Sequence, residues 1–367
     1  MPIRWEMGPW WGEASGEPQP VSITNAGTQT IFLGAAVAST PRYLTVKELT
    51  LSAPVSDPLK LLLMKTGADH PLSVLGACSI RTNTTIRVDD SALDVAGTFR
   101  VSGSLDLARG RVAAKSELLV GESVGAPALV TVTGGMLTVT NADHNARLII
   151  GLGGRGDFCL NGGTVEADFI QVTNTGNRFI FNSGKAKVGS LMVTNFQPIT
   201  VGDGVHAATL VLSDGTNVIS RLLTVTNNAT LTVEGTATIN GPVANYGTIL
   251  AGRPGDQLIF ASTTGYPSIV TNWGHMYMTN GGTLTFQGTV CNNVPAHITA
   301  MTQTGANFTF QFDSIGGLTH MLEYKNALSD PNWTSSLVST NGTGETRSLT
   351  IPAPTGAARF YHIRVGP

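Results

Sequence analysis

The sequence predicts an all-β protein: a right-handed parallel β-helix, or solenoid, over residues 21–294, followed by a small β-sandwich over 295–367 and preceded by a tail at 1–20. Three observations lead there. Charged residues make up 13% of the chain, about half of the usual ~25%, while Gly supplies 43 of 367 residues. Few charges and many glycines favour short strands joined by turns. The second observation is a six-residue rhythm from Leu231 onward, LTVEGT, ATINGP, VANYGT, ILAGRP, with Gly235, Gly241, Gly247 and Gly252 closing successive units. Leu231 and Val233, then Ala237 and Ile239, alternate with polar residues, so each unit is one short strand with one inward face and one corner. The same rhythm appears earlier as LDVAGT, FRVSGS, LDLARG, with corners at Gly97, Gly103 and Gly110. The third observation is a longer register whose starting points, Val120-Gly121, Ile150-Gly151, Val172-Thr173 and Val201-Gly202, suit solenoid coils that carry loops of unequal length. A propeller needs about 40 or more residues per blade, and a sandwich needs fewer and longer hairpin-connected strands.

The tail, Met1 to Pro20, holds Trp5, Trp10 and Trp11 without periodicity. That much apolar area does not float freely, and the tail is read either as a cap on the first coil or as an assembly arm that pairs with a neighbour. In the solenoid, Val, Ile, Leu and Thr form interior ladders, while Asn161, Asn182, Asn240 and Asn245 are expected at corners, in left-handed conformations or with stacked amides. After Asn292-Asn293-Val294-Pro295 the pattern changes. Strands are expected near His297–Thr302, Asn307–Phe312, His320–Lys325, Ser335–Ser339, Thr346–Ile351 and Arg359–Val365, separated by turn signals. This spacing suggests an immunoglobulin-like or fibronectin-III-like sandwich with Trp333, Phe310, Phe312, Tyr324, Phe360 and Tyr361 in its core.

The stretches LTVKELTLSAP with PLSVLGACSI, FCLNGGTVEADFIQV, FIFNSGKAKVGSL, HMLEYKNALSDPNWTSSL and ARFYHIRV carry a resemblance. The chain resembles repetitive exported β-helix proteins of Verrucomicrobia-like bacteria, similar to autotransporter-associated β-strand repeat proteins. The resemblance implies a β-helix with a sandwich and export, and it supplies no catalytic residues. The ending Val365-Gly366-Pro367 lacks a hydrophobic sorting helix, and Met1 to Gly16 lacks the pattern of a signal peptide, so an exported form is expected to be a processed one.

Several function classes are disfavoured. The net charge is −2 and no Lys/Arg run appears, so nucleic acid is not an expected partner. No apolar stretch approaches the ~18 residues of a membrane span. Cys78, Cys159 and Cys291 lack metal-ligand spacing and read as buried free thiols. The seven His residues, among them His144, His206, His275 and His297, form no ligand pair. No metal and no cofactor is expected, with calcium at Asp203 and Asp214, or at Asp89 and Asp90, left open as a minor alternative.

Glycoside hydrolysis needs two carboxylates about 5 to 9.5 Å apart. The best local cluster, Asp89, Asp90 and Asp94 beside Arg87 and Arg100, reads as a solvated corner, and no Gly-His-Gly or Arg-x-Lys element of polygalacturonase-like enzymes is present. Arg155-Gly156-Asp157 reads as a turn, and the sequons at Asn83, Asn228, Asn307, Asn332 and Asn341 follow from an Asn- and Thr-rich composition. The remaining candidate contacts are Trp273, His275 and Tyr277, which a strand presents on one face opposite Met276 and Met278. That stripe either packs under the sandwich or stacks on sugar rings or a protein. The expected function is a non-enzymatic extracellular or cell-surface structural protein, a matrix element or self-assembling fibre subunit. Its expected partners are further copies met end to end, or surface polysaccharide. The alternative is a carbohydrate-binding adhesin or a polysaccharide lyase or hydrolase on the same scaffold.

Overall fold

The computed structural model describes residues 18–24, 29–33, 45–64, 72–124, 127–354 and 359–366. Among them there is no helix. Strands from Val21–Thr24 to Thr289–Asn292 join in one 29-stranded parallel sheet that winds as a solenoid with three faces. The first face stacks Val21–Thr24, Leu49–Ser52, Cys78–Ile80, Thr98–Val101, Glu117–Val120 and Arg147–Ile150 in that order, and it ends at Thr283–Phe286. The second runs from Gln29–Leu33 to Thr289–Asn292, and the third from Thr45–Val46 to His275–Met278. The chain visits the faces in turn, so each strand meets its partners one coil away. Coils range from 18 residues, with Leu231 against Ile249, to 30, with Leu118 against Leu148.

Alternation along each edge sends every second residue inward, and stacking turns these residues into ladders. Inside the first face Leu49, Cys78, Phe99, Leu118, Leu148, Ile170 and Leu191 lie one above another, all buried. Inside the second, Leu105, Val130, Phe158 and Phe179 do the same, with the two rings edge to face at 5.5 Å. Each such side chain contributes about 1.5–3 kcal/mol of transfer free energy, and no coil could shield its apolar stripe alone.

The glycine rhythm marks successive corners, since the edges 229–233, 236–240, 243–245 and 248–251 belong in order to the third, first, second and third faces. The longer register is correct for Val120, Ile150 and Val172, which pair coil to coil. It fails at Val201. Val172 pairs with Val193, whereas Val201 pairs with Phe181 on the second face. The true repeat is Val-Thr-Asn at 172–174 and 193–195, where Asn195 Nδ2 donates to the Asn177 carbonyl (2.8 Å) and Asn174 Nδ2 to the Gly151 carbonyl (2.8 Å). A Val-Gly pair has the same local signature on a different edge.

The corner asparagines also need a correction. Left-handed backbone occurs at Asn83, Asn174, Asn228 and Asn280, not at Asn161, Asn182, Asn240 or Asn245. Amide stacking is present: Asn182 Nδ2 donates to Asn161 Oδ1 (2.7 Å), and a buried ladder runs from Asn245 to Asn272 (2.7 Å) and on to Asn292 (2.9 Å). Of the cysteines only Cys78 is buried, and burial pushes its thiol up. Cys159 and Cys291 follow the inward residues Phe158 and Val290 and therefore point outward.

Two three-stranded antiparallel sheets follow. One contains Ile298–Thr304, Asn307–Asp313 and Thr346–Pro352, and the other Thr334–Asn341, Thr319–Lys325 and Phe360–Gly366. They enclose Phe310, Phe312, Leu322, Leu349, Ile351 and Ile363 as a β-sandwich. Trp333 and Phe360, expected inside, are exposed. Tyr361, Ile363 and Val365 take the inward positions of the last strand, which turns Phe360 out. Trp333 stacks on the His362 ring at 3.8 Å, with Lys325 Nζ 5.1 Å from its centroid.

The sandwich touches the last coil. Ile315 and Leu318, from the loop between its second and third strands, belong to the apolar core of the solenoid. The Gly316 N–H donates to the Met276 carbonyl (2.7 Å), and the Met278 N–H donates to the Thr343 carbonyl.

Candidate functional site

The strand His275–Met278 carries the aromatic stripe at the junction of solenoid and sandwich. Met276 is buried, as alternation requires, and Met278 packs against the core. The stripe divides. Tyr277 lies under the sandwich, where a Cβ on Gly344 would fall 2.3 Å from its Cδ1. His275 is exposed and its ring lies 5.7 Å from that of Tyr277. Trp273 is 46% exposed and stacks on Tyr246 of the preceding coil, with ring centroids 4.7 Å apart and planes within 1° of parallel.

Tyr246 was missed in the sequence, although a signal for it exists. Asn245-Tyr246-Gly247 and Asn272-Trp273-Gly274 repeat the same Asn-aromatic-Gly corner one coil apart, and pairing of Asn245 with Asn272 stacks the rings. Trp5, Trp10 and Trp11 lie outside the described residues.

A cleft of about 980 Å³ runs along the corner between the third and first faces, over the coils at 166–169, 187–192 and 213–218 and beside the loop at 140–144. Its walls include Glu166, Phe169, Lys187, Met192 and Asp214. Of its charged groups, Asp168 holds the flanking loop: Oδ2 accepts from the N–H of Asn141 and of Ala146, both at 3.1 Å, and His144 Nδ1 lies 3.5 Å from Oδ1. Lys187 pairs with Glu234 at 2.6 Å, two coils away. Sequence reading did not flag this cleft, because its walls come from four segments that only stacking brings together.

The acidic residues singled out in the sequence are engaged elsewhere. Asp89 is not solvated: Arg109 Nε lies 2.7 Å from Oδ1 and Arg87 3.8 Å from Oδ2. The hydrogen bond from Arg109 and the charges of both arginines hold the Asp89 carboxyl below the usual carboxylate range against the opposing effect of burial. Asp90 turns the corner at φ +54° and faces solvent. Asp94 pairs with Arg111 (3.0 Å) and Asp106 with Arg87 (2.6 Å), so the cluster is a set of ion pairs between neighbouring coils. Asp203 and Asp214 do not converge. Asp203 accepts from the His206 ring and from the N–H groups of Val205 and His206, all within 2.8 Å, which holds it well below the usual range. Asp214 Oδ1 accepts from the Thr236 N–H at 2.5 Å. The Arg155-Gly156-Asp157 tripeptide enters a strand, with Asp157 bound to Arg178 at 2.7 Å.

Among the described residues no group of three or more His, Cys, Asp or Glu side chains converges as a metal site, and no helix is long and apolar enough to cross a membrane. Comparison with protein families, with curated proteins and with solved structures finds no match to the chain.

Proposed function

We propose that the chain is a non-enzymatic structural element of a cell surface or extracellular matrix, with a stiff solenoid rod as its working part. One observation carries this reading. Apolar ladders line the interior of all three faces, while Arg87, Asp89, Asp94, Arg100, Asp106, Arg109, Arg111 and Glu122 on the outside are paired with one another across neighbouring coils. Such a body resists bending, because each coil is hydrogen-bonded to the next along every face. Export and surface display belong to the same proposal and draw on the resemblance to repetitive exported β-helix proteins. Self-association at the solenoid end away from the sandwich and contact with surface polysaccharide are the partner classes it carries.

The experiment is a turnover assay against a panel of neutral and acidic polysaccharides, with Asp89→Ala, Asp90→Ala and Glu166→Gln beside the unaltered protein. No turnover is expected. Turnover that any of these substitutions abolishes would replace the scaffold reading with a lyase or hydrolase. Display is checked by adding protease to intact source cells, where loss of the protein without lysis is expected.

A second reading, an adhesin for carbohydrate, is favoured by the exposed Tyr246–Trp273 stack, since an apolar ring face is what a pyranose C–H face packs on. It requires retention on insoluble polysaccharide that Trp273→Ala removes.

A further inference from the structure

We infer that the C-terminal sandwich is an assembly terminator, whose loops 314–318 and 342–344 occupy the position where the first coil of a second copy of this chain would stack. In a parallel ladder alternate residues bond to the coil before and the coil after. His275 and Thr279 donate backward, to the carbonyls of Gly247 and Ala251. Met276 and Met278 therefore face forward, and among their groups are the carbonyl of Met276 and the N–H of Met278. Both are taken by the sandwich, the first by the Gly316 N–H and the second by the Thr343 carbonyl. Ile315 and Leu318 complete the apolar filling from above. The third face thus ends on a substitute for its next strand.

The substitute is braced. Ser314 Oγ accepts from the N–H groups of Thr343 (3.0 Å) and Gly344 (3.2 Å) and donates to the Glu345 carbonyl (2.6 Å), which ties the two loops together. His320, fully buried, accepts from the Ile315 N–H at Nε2 (3.1 Å) and bonds the Leu318 carbonyl through Nδ1 (3.1 Å).

The end under the sandwich has no protection of its own. Exposed strand edges are ordinarily blunted by charges or proline. The last strands of the three faces read HMYM, TLTF and TVCN, without Lys, Arg, Asp, Glu or Pro. Uncovered, they offer parallel edges and the inward side chains Met276, Leu284, Phe286 and Val290, the same chemistry that every interior coil offers the next. A second copy fits this end because its own first strands, Val21–Thr24 and Gln29–Leu33, start the same faces in the same direction. Head-to-tail contacts of this kind do not close and grow into filaments.

The test uses the full chain. Gly344 has φ +93°, and a side chain there meets Tyr277 and the Met276 carbonyl, so Gly344→Val unseats the loop. Gly366→Val, where the space is open, is the control. Sedimentation velocity over a wide concentration range should show a several-fold rise in the mass of Gly344→Val beyond the control and the unaltered protein, with β-rich circular dichroism retained. Adding Thr285→Lys, the charge this edge lacks, should return it to the control mass. Polymer that survives Thr285→Lys is general aggregation and overturns the inference, as does a folded Gly344→Val that stays at the control mass. If Gly344→Val fails to fold, hydrogen exchange of the unaltered protein decides. The amides of Gly316 and Met278 should exchange as slowly as those of His275 and Thr279, and exchange at loop rates would overturn the terminator.

Discussion

The solenoid and the sandwich use the same elements, short strands with alternating side chains, and reach their hydrogen-bond partners in different ways. In the sandwich, Ile298–Thr304 turns directly into Asn307–Asp313 and pairs with it, so a hairpin sets the register. In the solenoid the partner of a strand lies 18 to 30 residues away, and the register is set by stacking alone. The sandwich is complete with six strands. The solenoid has no intrinsic end, since each coil creates the edge that the next one needs. The difference teaches where each region is vulnerable: the sandwich in its core, the solenoid at its corners, its ladders and its last coil.

The largest effect that separates the two comes from a ring in each core. Phe158→Ala removes a side chain packed between Val130 and Phe179, and Phe312→Ala removes one buried in the sandwich. Each is expected to cost about 3–5 kcal/mol in urea unfolding. Proteolysis of partly unfolded protein should spread through several coils in the first case, because coils are stabilised by their neighbours, and stay within residues 298–366 in the second. Equal spreading in both would remove the distinction.

The amide ladder gives a smaller effect. Asn272→Leu orphans Asn292 Oδ1 and leaves the Asn245 amide with its bond to the His275 carbonyl alone, at an expected cost of about 2 kcal/mol. Replacing Asn245, Asn272 and Asn292 together by Leu should recover part of that in the same denaturation experiment, because the three side chains then leave no amide of their own unpaired, while the Gly274 N–H still loses its bond to Asn272.

A corner tests the stacking itself. A Cβ on Gly103 would fall 2.2 Å from the Thr84 carbonyl oxygen of the preceding coil and 2.4 Å from that of Arg81. Gly103→Ala is expected to cost about 1–3 kcal/mol, and Gly366→Ala in the sandwich less than about 0.5 kcal/mol. Thermal unfolding of the pair measures the contrast.

Those corners were legible in the sequence because a glycine every six residues is a local signal, and the six strands of the sandwich were legible because hairpins are local too. The solenoid register was legible only as far as Val172, since the face on which a unit lies depends on all the loops before it. The outward turn of Cys159, Cys291, Trp333 and Phe360 was missed where composition was weighed and alternation was not. The cleft over Glu166, Lys187 and Asp214 and the seat of the sandwich on Met276 had no sequence signal at all, because both are contacts between distant segments.

The pH dependence of the two regions should differ in the same sense. Burial holds the His320 imidazole below its ordinary value, against the opposing effect of its bond to the Leu318 carbonyl. A depressed histidine contributes stability that is present above its unfolded pKa, about 6.5, and lost as pH falls below it. Asp89 is lowered by Arg109, so its contribution is present above an unfolded value of about 3.9 and lost only below it. On acidification, amide signals of the sandwich and of Ile315 should therefore shift or broaden first, and those of the coils around Asp89 later. The reverse order in a pH titration by NMR would contradict this assignment.

The most direct measurement of the whole reading is negative-stain electron microscopy of the full-length protein over a range of concentrations. The twelve stacked coils of the described residues, at about 4.8 Å each, make a rod of roughly 55 Å with the sandwich on one end. Short particles of one length, or pairs joined at the end away from the sandwich, are the expected result at every concentration. Filaments that lengthen with concentration would contradict a solenoid closed by its own C-terminal domain.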